Sequence, residues 1–210
     1  MVPSALPYLP ERRSMKALRS AAAGCRGCDL YAHATQTVFG EGPVRAKLML
    51  VGEQPGDSED RAGHPFVGPA GRVLHEALQR AGIDETAVYV TNAVKHFRFV
   101  VRGKRRIHAK PRVIEIDACK PWLDAEIALV KPAVVVPLGA TAAFALMGRN
   151  FKLTPNRGRA FDYGDAKGAM HLVATVHPSS ILRAPDGETR RAEMTRFVGD
   201  LRKAAAALQR

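Results

Sequence analysis

The sequence has no long hydrophobic run and no segment of the kind that directs secretion. No stretch approaches the about 20 apolar residues that are needed to cross a bilayer. The N-terminus also lacks a basic segment followed by an apolar one. We therefore expect a protein that does not contact membranes and lies in the cytoplasm, either in the bacterial cytosol or on the nucleoid.

Cysteine and acidic residues are scarce. Cys25, Cys28 and Cys119 are the only cysteines, and a reducing cytosol argues against a disulfide between the first two, so a metal or a cluster becomes the alternative. The 20 Asp and Glu are outnumbered by 32 Lys and Arg, which gives a net charge of +12. This excess favours a polyanionic partner through counterion release, although some basic proteins bind no nucleic acid.

The length of 210 residues and the apolar share of 46% predict a single domain that spans the chain. Residues 1–10 are expected to form a loose tail, or one that packs on the body. Apolar runs that stop at glycine or proline predict strands, and segments with helical periodicity lie between them. Strands are expected at 47–52, 87–94, 133–139 and 171–178, and helices at 13–23, 70–82, 112–130, 141–148 and 188–209. This alternation predicts an α/β three-layer sandwich whose central, mainly parallel four-stranded sheet is flanked by helices.

The loop after the first expected strand is rich in glycine, proline and acidic residues. Ligands of open parallel sheets bind beyond the carboxyl ends of the strands, which is where residues 52–71 should lie. Glu53, Gln54 and Asp57 supply acid, amide or base groups there, unless the segment is a plain acidic surface loop. Phe66 is an aromatic residue on a polar loop and is suited to stacking on a flat base.

Two further polar residues directly follow or end expected strands. His177 can donate a hydrogen bond to a leaving group that gathers negative charge, or it can simply cap the local backbone. Asn92 can give and accept one hydrogen bond each, which matches one edge of a pyrimidine, although asparagine is equally common in turns.

Taken in order, these segments resemble the uracil-DNA glycosylase superfamily. The resemblance rests on GEQPG with the following HPFVGPAG, on TNAVKH after a strand, on LGATA and on HPSSILR, and it extends over about residues 25–183. It is strongest to the iron-sulfur families related to the family 4 uracil-DNA glycosylases. The segment KRRIH (104–108) resembles the UdgX group in particular. We expect the partner to be uracil-containing DNA, single-stranded as well as duplex, and the protein to be a monomer.

The resemblance implies a role for each of these residues. Glu53 and Gln54 would lie at the reacting sugar, where related hydrolytic enzymes position a water. Phe66 would stack on the flipped uracil and Asn92 would read its polar edge. His177 would stabilise the uracil anion as the glycosidic bond breaks. Base flipping also accounts for the positive charge, because the DNA backbone must be held while one nucleotide is extruded.

The segment GKRRIHAKP (103–111) reads as a basic loop without apolar periodicity. In UdgX proteins the histidine of KRRIH captures C1′ of the deoxyribose and remains covalently bound, and His108 matches that histidine. Neutral imidazole is a competent nucleophile near pH 7, and Glu53 would accept its proton or orient the ring. Otherwise His108 is one more polar residue of a loop that contacts DNA. Further contacts with phosphates or substrate are expected from Lys104, Arg105, Arg106, Asp57, Ser179 and Arg183, of which the last two could instead cap a helix.

The three cysteines are one ligand short of a four-thiolate site. Families with this fold and an iron-sulfur cluster use four cysteines, and His96 occupies the place of the third. The resemblance therefore implies a [4Fe-4S] cluster held by Cys25, Cys28, His96 and Cys119. Three cysteines and a histidine also satisfy a structural zinc ion, and Cys119 can equally be a small buried apolar residue.

Two other functions stay open at this stage. One is a hydrolytic uracil-DNA glycosylase that turns over, and the other is a DNA-binding module with an inactive pocket. The sequence does not identify the residue that would exclude the C5-methyl group of thymine.

Overall fold

A computed structural model describes residues 2–163 and 170–209. The strands are β1 (Leu48–Gly52), β2 (Val88–Asn92), β3 (Phe99–Arg102), β4 (Arg105–His108), β5 (Val134–Pro137), β6 (Ala160–Tyr163) and β7 (Met170–Val173). The helices are α1 (Met15–Ala23), α2 (Asp57–Ala62), α3 (Pro69–Ala81), α4 (Val113–Val130), α5 (Ala140–Met147), α6 (Leu153–Asn156), α7 (Pro178–Leu182) and α8 (Gly187–Ala207). Among the described residues, no helix is long and apolar enough to cross a membrane.

Within the described residues, the central sheet has five strands in the order β2–β1–β5–β7–β6. The four predicted strands are confirmed as β1, β2, β5 and β7, and these four run parallel to one another. The fifth strand, β6, is antiparallel to β7 at one edge and was not predicted. It was missed because its four residues are exposed or half-buried and carry no apolar run.

Helices cover both faces of the sheet, as predicted for a three-layer sandwich. Along β1, Met49 and Val51 pack into a core shared with α1, α4 and α5. Leu48 and Leu50 alternate with them and pack into a second core shared with α3 and α8. Because both faces are covered, all five residues of the strand are buried.

The N-terminal residues pack against the body instead of extending as a tail. The N–H of Ala5 donates to the Ala118 carbonyl of α4 at 2.8 Å, and Ala5 is buried. A short 3-10 helix at Leu6–Tyr8 follows. The stretch that the sequence pattern marks as loose is therefore held by the longest helix of its layer.

The basic segment after β2 is a hairpin and not a loop. β3 and β4 pair antiparallel, with Phe99 opposite His108 and Arg102 opposite Arg105. Gly103 adopts φ +59°, which a two-residue hairpin turn requires at its first central position. The hairpin is short and carries cations at many of its positions. The alternation of apolar and polar residues that marks a strand is therefore not visible in its sequence.

Candidate active site

A cleft of about 490 Å³ opens at the carboxyl ends of the parallel strands. These ends meet at one edge of the sheet because β1, β2, β5 and β7 run in the same direction. The predicted site residues that line the cleft are Glu53, Gln54, Asp57, Phe66, Asn92, His108, His177, Ser179 and Arg183. The rule about strand ends thus points to the correct edge of the sheet.

Glu53 lies between a threonine and a histidine. Its Oε1 is 3.2 Å from Nε2 of His108, and its Oε2 accepts a hydrogen bond from the Thr141 hydroxyl. Burial would raise the pKa of Glu53, but the hydrogen bonds from His108 and Thr141 outweigh it and hold the pKa below its usual value. Glu53 is therefore an ionised carboxylate at neutral pH, with one oxygen turned to the His108 ring.

His177 is a neutral hydrogen-bond donor at the cleft. Its Nδ1 accepts a hydrogen bond from the Ser179 backbone N–H at 3.2 Å, as the N-cap of α7, so the ring proton resides on Nε2. Burial lowers the pKa of His177 to about 4. The Nε2–H can therefore donate to a ligand atom on which negative charge develops, without carrying a charge of its own.

Phe66 and Asn92 approach each other over a glycine. A Cβ atom on Gly52 would lie 2.3 Å from Asn92 Oδ1 and 2.7 Å from Phe66 Cζ. Phe66 has φ 57°, a conformation that is uncommon outside glycine and clusters at functional sites. Its ring is stacked against His177 with 6.5 Å between the centroids. Among the described residues no protein group hydrogen-bonds the Asn92 side chain, so its amide can pair with a ligand.

Gln54, expected at the reacting sugar, lines the cleft, and its side-chain amide hydrogen-bonds the protein backbone. Its Nε2 donates to the carbonyls of Arg98 and Ala109, at 3.1 and 3.0 Å. Its Oε1 accepts from the Arg98 N–H at 3.0 Å. The side-chain amide thus joins the residues immediately before β3 and after β4, and it fixes the base of the hairpin that carries His108.

Arg106 also differs from its expected role as a phosphate or substrate contact. Its Nε lies 2.5 Å from Asp57, and its Nη1 lies 2.6 Å from Asp60, which is fully buried. The guanidinium also covers the Phe99 ring at 5.0 Å from the centroid. Because strand residues alternate in direction, Arg106 turns towards the body and secures the hairpin to α2. Asp57, expected at the substrate, is one of its partners.

Glu59 is one of the acidic residues of the loop after β1, and sequence reasoning did not identify its buried, backbone-binding role. It is buried, and its carboxylate accepts hydrogen bonds from the backbone N–H groups of Gly56 at 3.0 Å and Gly68 at 2.7 Å. These two glycines lie on either side of α2 and of the loop with Phe66. The signal was a glutamate three residues after a helix N-cap, a spacing that favours a bond back to the cap. Thr141 was missed as well, although its segment LGAT follows a strand.

The remaining predicted contacts lie at the rim of the cleft and on the hairpin. Arg183 Nη1 donates to the Ser179 hydroxyl at 3.0 Å, and the same hydroxyl lies 2.8 Å from His177 Nδ1. Lys104 and Arg105 are exposed at the hairpin turn. Ser179 and Arg183 therefore support His177 while their other sides line the cleft.

The three cysteines share one electrostatic environment. Cys25 and Cys119 are buried and Cys28 is half-buried. The pKa of Cys119 is raised to about 12, mainly by burial and to a smaller extent by the two other thiols. Cys25 Sγ accepts a hydrogen bond from Trp122, and Cys119 Sγ accepts one from the Lys95 N–H. In the part of the chain that the structure describes, no three His, Cys, Asp or Glu side chains are already arranged to hold a metal ion.

His96 is neutral and has a defined tautomer. The Thr37 hydroxyl donates to the Ala22 carbonyl, so it accepts from Nε2–H of His96 at 2.9 Å. This leaves the lone pair on Nδ1. Burial lowers the pKa of His96 to about 4. A neutral imidazole with a free lone pair and three nearby sulfurs form a donor set that suits an iron-sulfur cluster or a soft metal.

Fold and site together define a class of protein. It is a doubly wound α/β protein with a cleft at the ends of its parallel strands. The cleft contains an ionised carboxylate, a neutral imidazole donor, a free amide and an aromatic ring. Such a cleft can bind a flat polar heterocycle and stabilise it as an anion. Residues 39–202 match the model of the Uracil DNA glycosylase superfamily. The chain belongs to this superfamily.

Type-4 and Type-5 uracil-DNA glycosylases are among the similar proteins. The chain is 38% identical over 165 residues to a Type-4 uracil-DNA glycosylase of Pyrobaculum aerophilum, covering 77% of this chain and 81% of the relative. It is 38% identical over 168 residues to the Type-4 uracil-DNA glycosylase of Thermotoga maritima, covering 80% and 82%. A Type-5 uracil-DNA glycosylase of Pyrobaculum aerophilum is 29% identical over 182 residues, covering 79% of this chain and 74% of that protein.

Proposed function

We propose that this protein excises uracil from DNA and then becomes covalently bound to the sugar through His108. The excision is supported by the relatives, which are named as uracil-DNA glycosylases. The covalent step rests on one observation, the position of His108 at the cleft with Nε2 3.2 Å from the Glu53 carboxylate. The proposed substrate is uracil-containing DNA, single-stranded as well as duplex.

In the proposed reaction the target nucleotide is flipped into the cleft. Phe66 stacks on the uracil, and the Asn92 amide pairs with its polar edge. The bond between C1′ and N1 breaks, and its electron pair leaves with the base. The Nε2–H of His177 donates to the uracil anion, which stabilises the leaving group without adding a proton to it.

The sugar that remains has oxocarbenium character at C1′, and His108 captures it. The lone pair of an imidazole nitrogen forms the new bond to C1′, so the ring becomes positively charged. The Glu53 carboxylate balances this charge, or takes the proton from the other ring nitrogen. Gln54 and Arg106 contribute by holding both ends and one face of the hairpin on which His108 lies.

The covalent step is tested by mixing the protein with a uracil-containing oligonucleotide and running a denaturing SDS gel. We expect the wild type to give a shifted band whose amount stops at one per protein molecule. His108→Ser should give no shifted band but should still release free uracil, because water then reaches C1′. His75→Ser, on the exposed face of α3, is the matched control and should behave as the wild type.

Three other outcomes would count against the proposal. A shifted band with His108→Ser would assign the bond to another residue. Release of uracil by the wild type over many turnovers, with no shifted band, would make the protein a hydrolytic glycosylase. If no uracil is released by any variant, the protein is a DNA-binding module.

We further propose that Cys25, Cys28, His96 and Cys119 hold a [4Fe-4S] cluster. Support comes from the three neighbouring thiols and from the neutral imidazole with its lone pair on Nδ1. Such a cluster would tie the segment after α1, the loop after β2 and the start of α4 together. Protein purified without oxygen should be brown and contain iron and sulfide, whereas a colourless protein with zinc would refute the proposal.

A further inference from the structure

The β3–β4 hairpin has two faces with different surroundings. One face turns to the body, where His108 meets Glu53 and Arg106 meets Asp57 and Asp60. The opposite face, here called the outer face, consists of Val100, Arg102, Arg105 and Ile107, because side chains alternate along each strand. All four are exposed. The hairpin is therefore anchored on one side and free to meet a partner on the other.

The cations of the outer face lie in an unfavourable arrangement for an isolated hairpin. Arg102 and Arg105 are directly opposite each other in the ladder, and like charges in this position destabilise a strand pair. Lys104 lies in the turn between them. The carboxylates that reach the hairpin, Glu53, Asp57 and Asp60, all pair on the inner face. Among the described residues no carboxylate forms an ion pair with any of these three cations, so a bound anion would relieve their repulsion.

Apolar side chains continue the outer face towards its base. Val100 and Ile107 form a cross-strand pair next to the two arginines, and they are 46% and 39% exposed. A ligand that pairs phosphate with apolar surface, as a nucleic-acid strand does with its sugars and bases, matches this combination better than a simple anion.

The outer face also lies close to the reacting position. Ile107 directly precedes His108, and Arg105 is three residues before it along an extended strand, about 10 Å away. When a deoxyribose is at His108, the neighbouring nucleotides of the same strand reach the hairpin turn. The outer face therefore lies within about 10 Å of the residue that lines the cleft, His108.

We propose that the outer face binds the DNA strand next to the flipped nucleotide. Arg102 and Arg105 together hold one phosphate, and Val100 and Ile107 contact the adjoining sugar or base. Only the choice of strand rests on the proposed function, because binding to DNA as such does not require uracil or catalysis. Arg102 replaces Arg106 as the phosphate contact of this segment.

The test measures binding of a uracil-free single-stranded oligonucleotide by fluorescence anisotropy over a series of salt concentrations. Arg102→Gln and Arg105→Gln should each weaken binding about 3- to 10-fold at about 50 mM salt, and lower the slope of log Kd against log salt by about 0.7. The control is Arg45→Gln, an exposed arginine before β1 at the opposite end of the sheet, which should change Kd less than twofold. Loss of binding in the control equal to that in the two variants would overturn the proposal.

Two further variants examine the shared phosphate and the apolar pair. If both arginines hold one phosphate, the double variant should weaken binding by less than the product of the two single effects. A fully multiplicative effect would contradict a shared phosphate. Val100→Thr keeps the branched shape and should weaken binding about threefold without changing the salt slope. An unchanged Kd would remove the apolar contact from the proposal.

The same variants separate this inference from the proposed function. If the wild type releases uracil but the hairpin variants bind the oligonucleotide as the wild type does, the outer face is not the DNA surface and the glycosylase remains. If the variants lose binding as expected but the wild type never releases uracil, the surface is supported and the glycosylase is not. Because all four positions are exposed, the variants should unfold at the wild-type temperature.

Discussion

Thr141 is the residue that fixes the orientation of Glu53. Its hydroxyl donates to one carboxylate oxygen and leaves the other turned to His108. Thr141 is buried at the start of α5, so water does not easily replace it. It is a positioning residue, since it acts on the reaction only through Glu53.

Replacing Thr141 by valine should shift the pH dependence of the reaction. The hydroxyl lowers the pKa of Glu53, so Thr141→Val raises that pKa, and the ionised carboxylate then requires a higher pH. Loss of a hydrogen bond to a charged group, about 1.5 kcal/mol, should slow formation of the product about tenfold in mildly acidic buffer. The acidic limb of the rate profile should move to higher pH, with less loss in alkaline buffer.

Thr141→Ser is the matched control, because it keeps the hydroxyl and should retain the wild-type profile. Single-turnover rates across pH, measured with saturating DNA, are the readout. An acidic limb that stays in place in Thr141→Val, or a serine variant as slow as the valine one, would show that Thr141 supports only the packing of α5.

Some of the site could be predicted from the sequence. What could not be predicted is the direction in which individual side chains point. Asn92 and His177 were found because they lie at or directly after strands, and strand ends of a parallel sheet converge. Gln54 and Arg106 were expected at the substrate, and the sequence could not show which protein groups they contact. Their amide and guanidinium groups satisfy neighbouring carbonyls and carboxylates, and these partners are known only once the hairpin is folded.

At the scale of elements, the hairpin depends on one buried ion pair. Asp60 is fully buried, and besides Arg106 its carboxylate accepts from the Thr35 N–H at 3.0 Å. Removing one partner of such a pair leaves an uncompensated charge inside the protein. The contact between β4 and α2 should therefore contribute to the stability of the whole domain.

Arg106→Gln should lower the free energy of unfolding by about 3 kcal/mol, because the Asp60 carboxylate loses its cation. Adding Asp60→Asn should recover part of this loss, since the buried charge is then removed. Urea unfolding of both variants at neutral pH provides the measurement. Arg105→Gln, one residue earlier and exposed, is the control and should change the stability by less than about 0.5 kcal/mol.

Equal stability of the Arg106 and Arg105 variants would contradict the anchoring of the hairpin. Additive effects would contradict it as well. In that case Asp60→Asn would lower the stability of the Arg106→Gln variant by as much as it lowers that of the wild type. Either result would mean that Gln54 alone holds the hairpin at its base.

The elements differ in how well the sequence specified them. β1 and β5 are buried on both faces, so their continuous apolar runs are strong signals. α3 was specified by four apolar residues on one face and by Gly82 at its end. β4 and β6 were missed because they are short and exposed, so nothing in a core requires them to be apolar. β3 has three apolar residues but is only four residues long, which is too short for a clear strand pattern.

At the scale of the whole molecule, the N-terminal segment is joined to the domain near the cysteines. Cys25 accepts a hydrogen bond from Trp122 of α4, and Thr37 connects Ala22 with His96. Besides these hydrogen bonds, Leu18, Ala22 and Leu30 of the segment pack into the core. A cluster bound at the proposed ligands would add covalent ties between the same three regions.

Loss of the proposed cluster should therefore loosen the N-terminal segment more than the sheet. Cys28→Ser removes a half-buried proposed ligand with little change in the core, and it should abolish the brown colour. It should also lower Tm by about 6–12 °C, as the loss of about 3 kcal/mol does in a protein of this size. Limited proteolysis should then cut first between residues 24 and 36. The comparison is wild type purified without oxygen, before and after removal of iron by oxidation and a chelator, and again after reconstitution with iron and sulfide. If Cys28→Ser keeps its iron, or if removing iron leaves both Tm and the cleavage pattern unchanged, the cysteines do not hold this segment through a cluster.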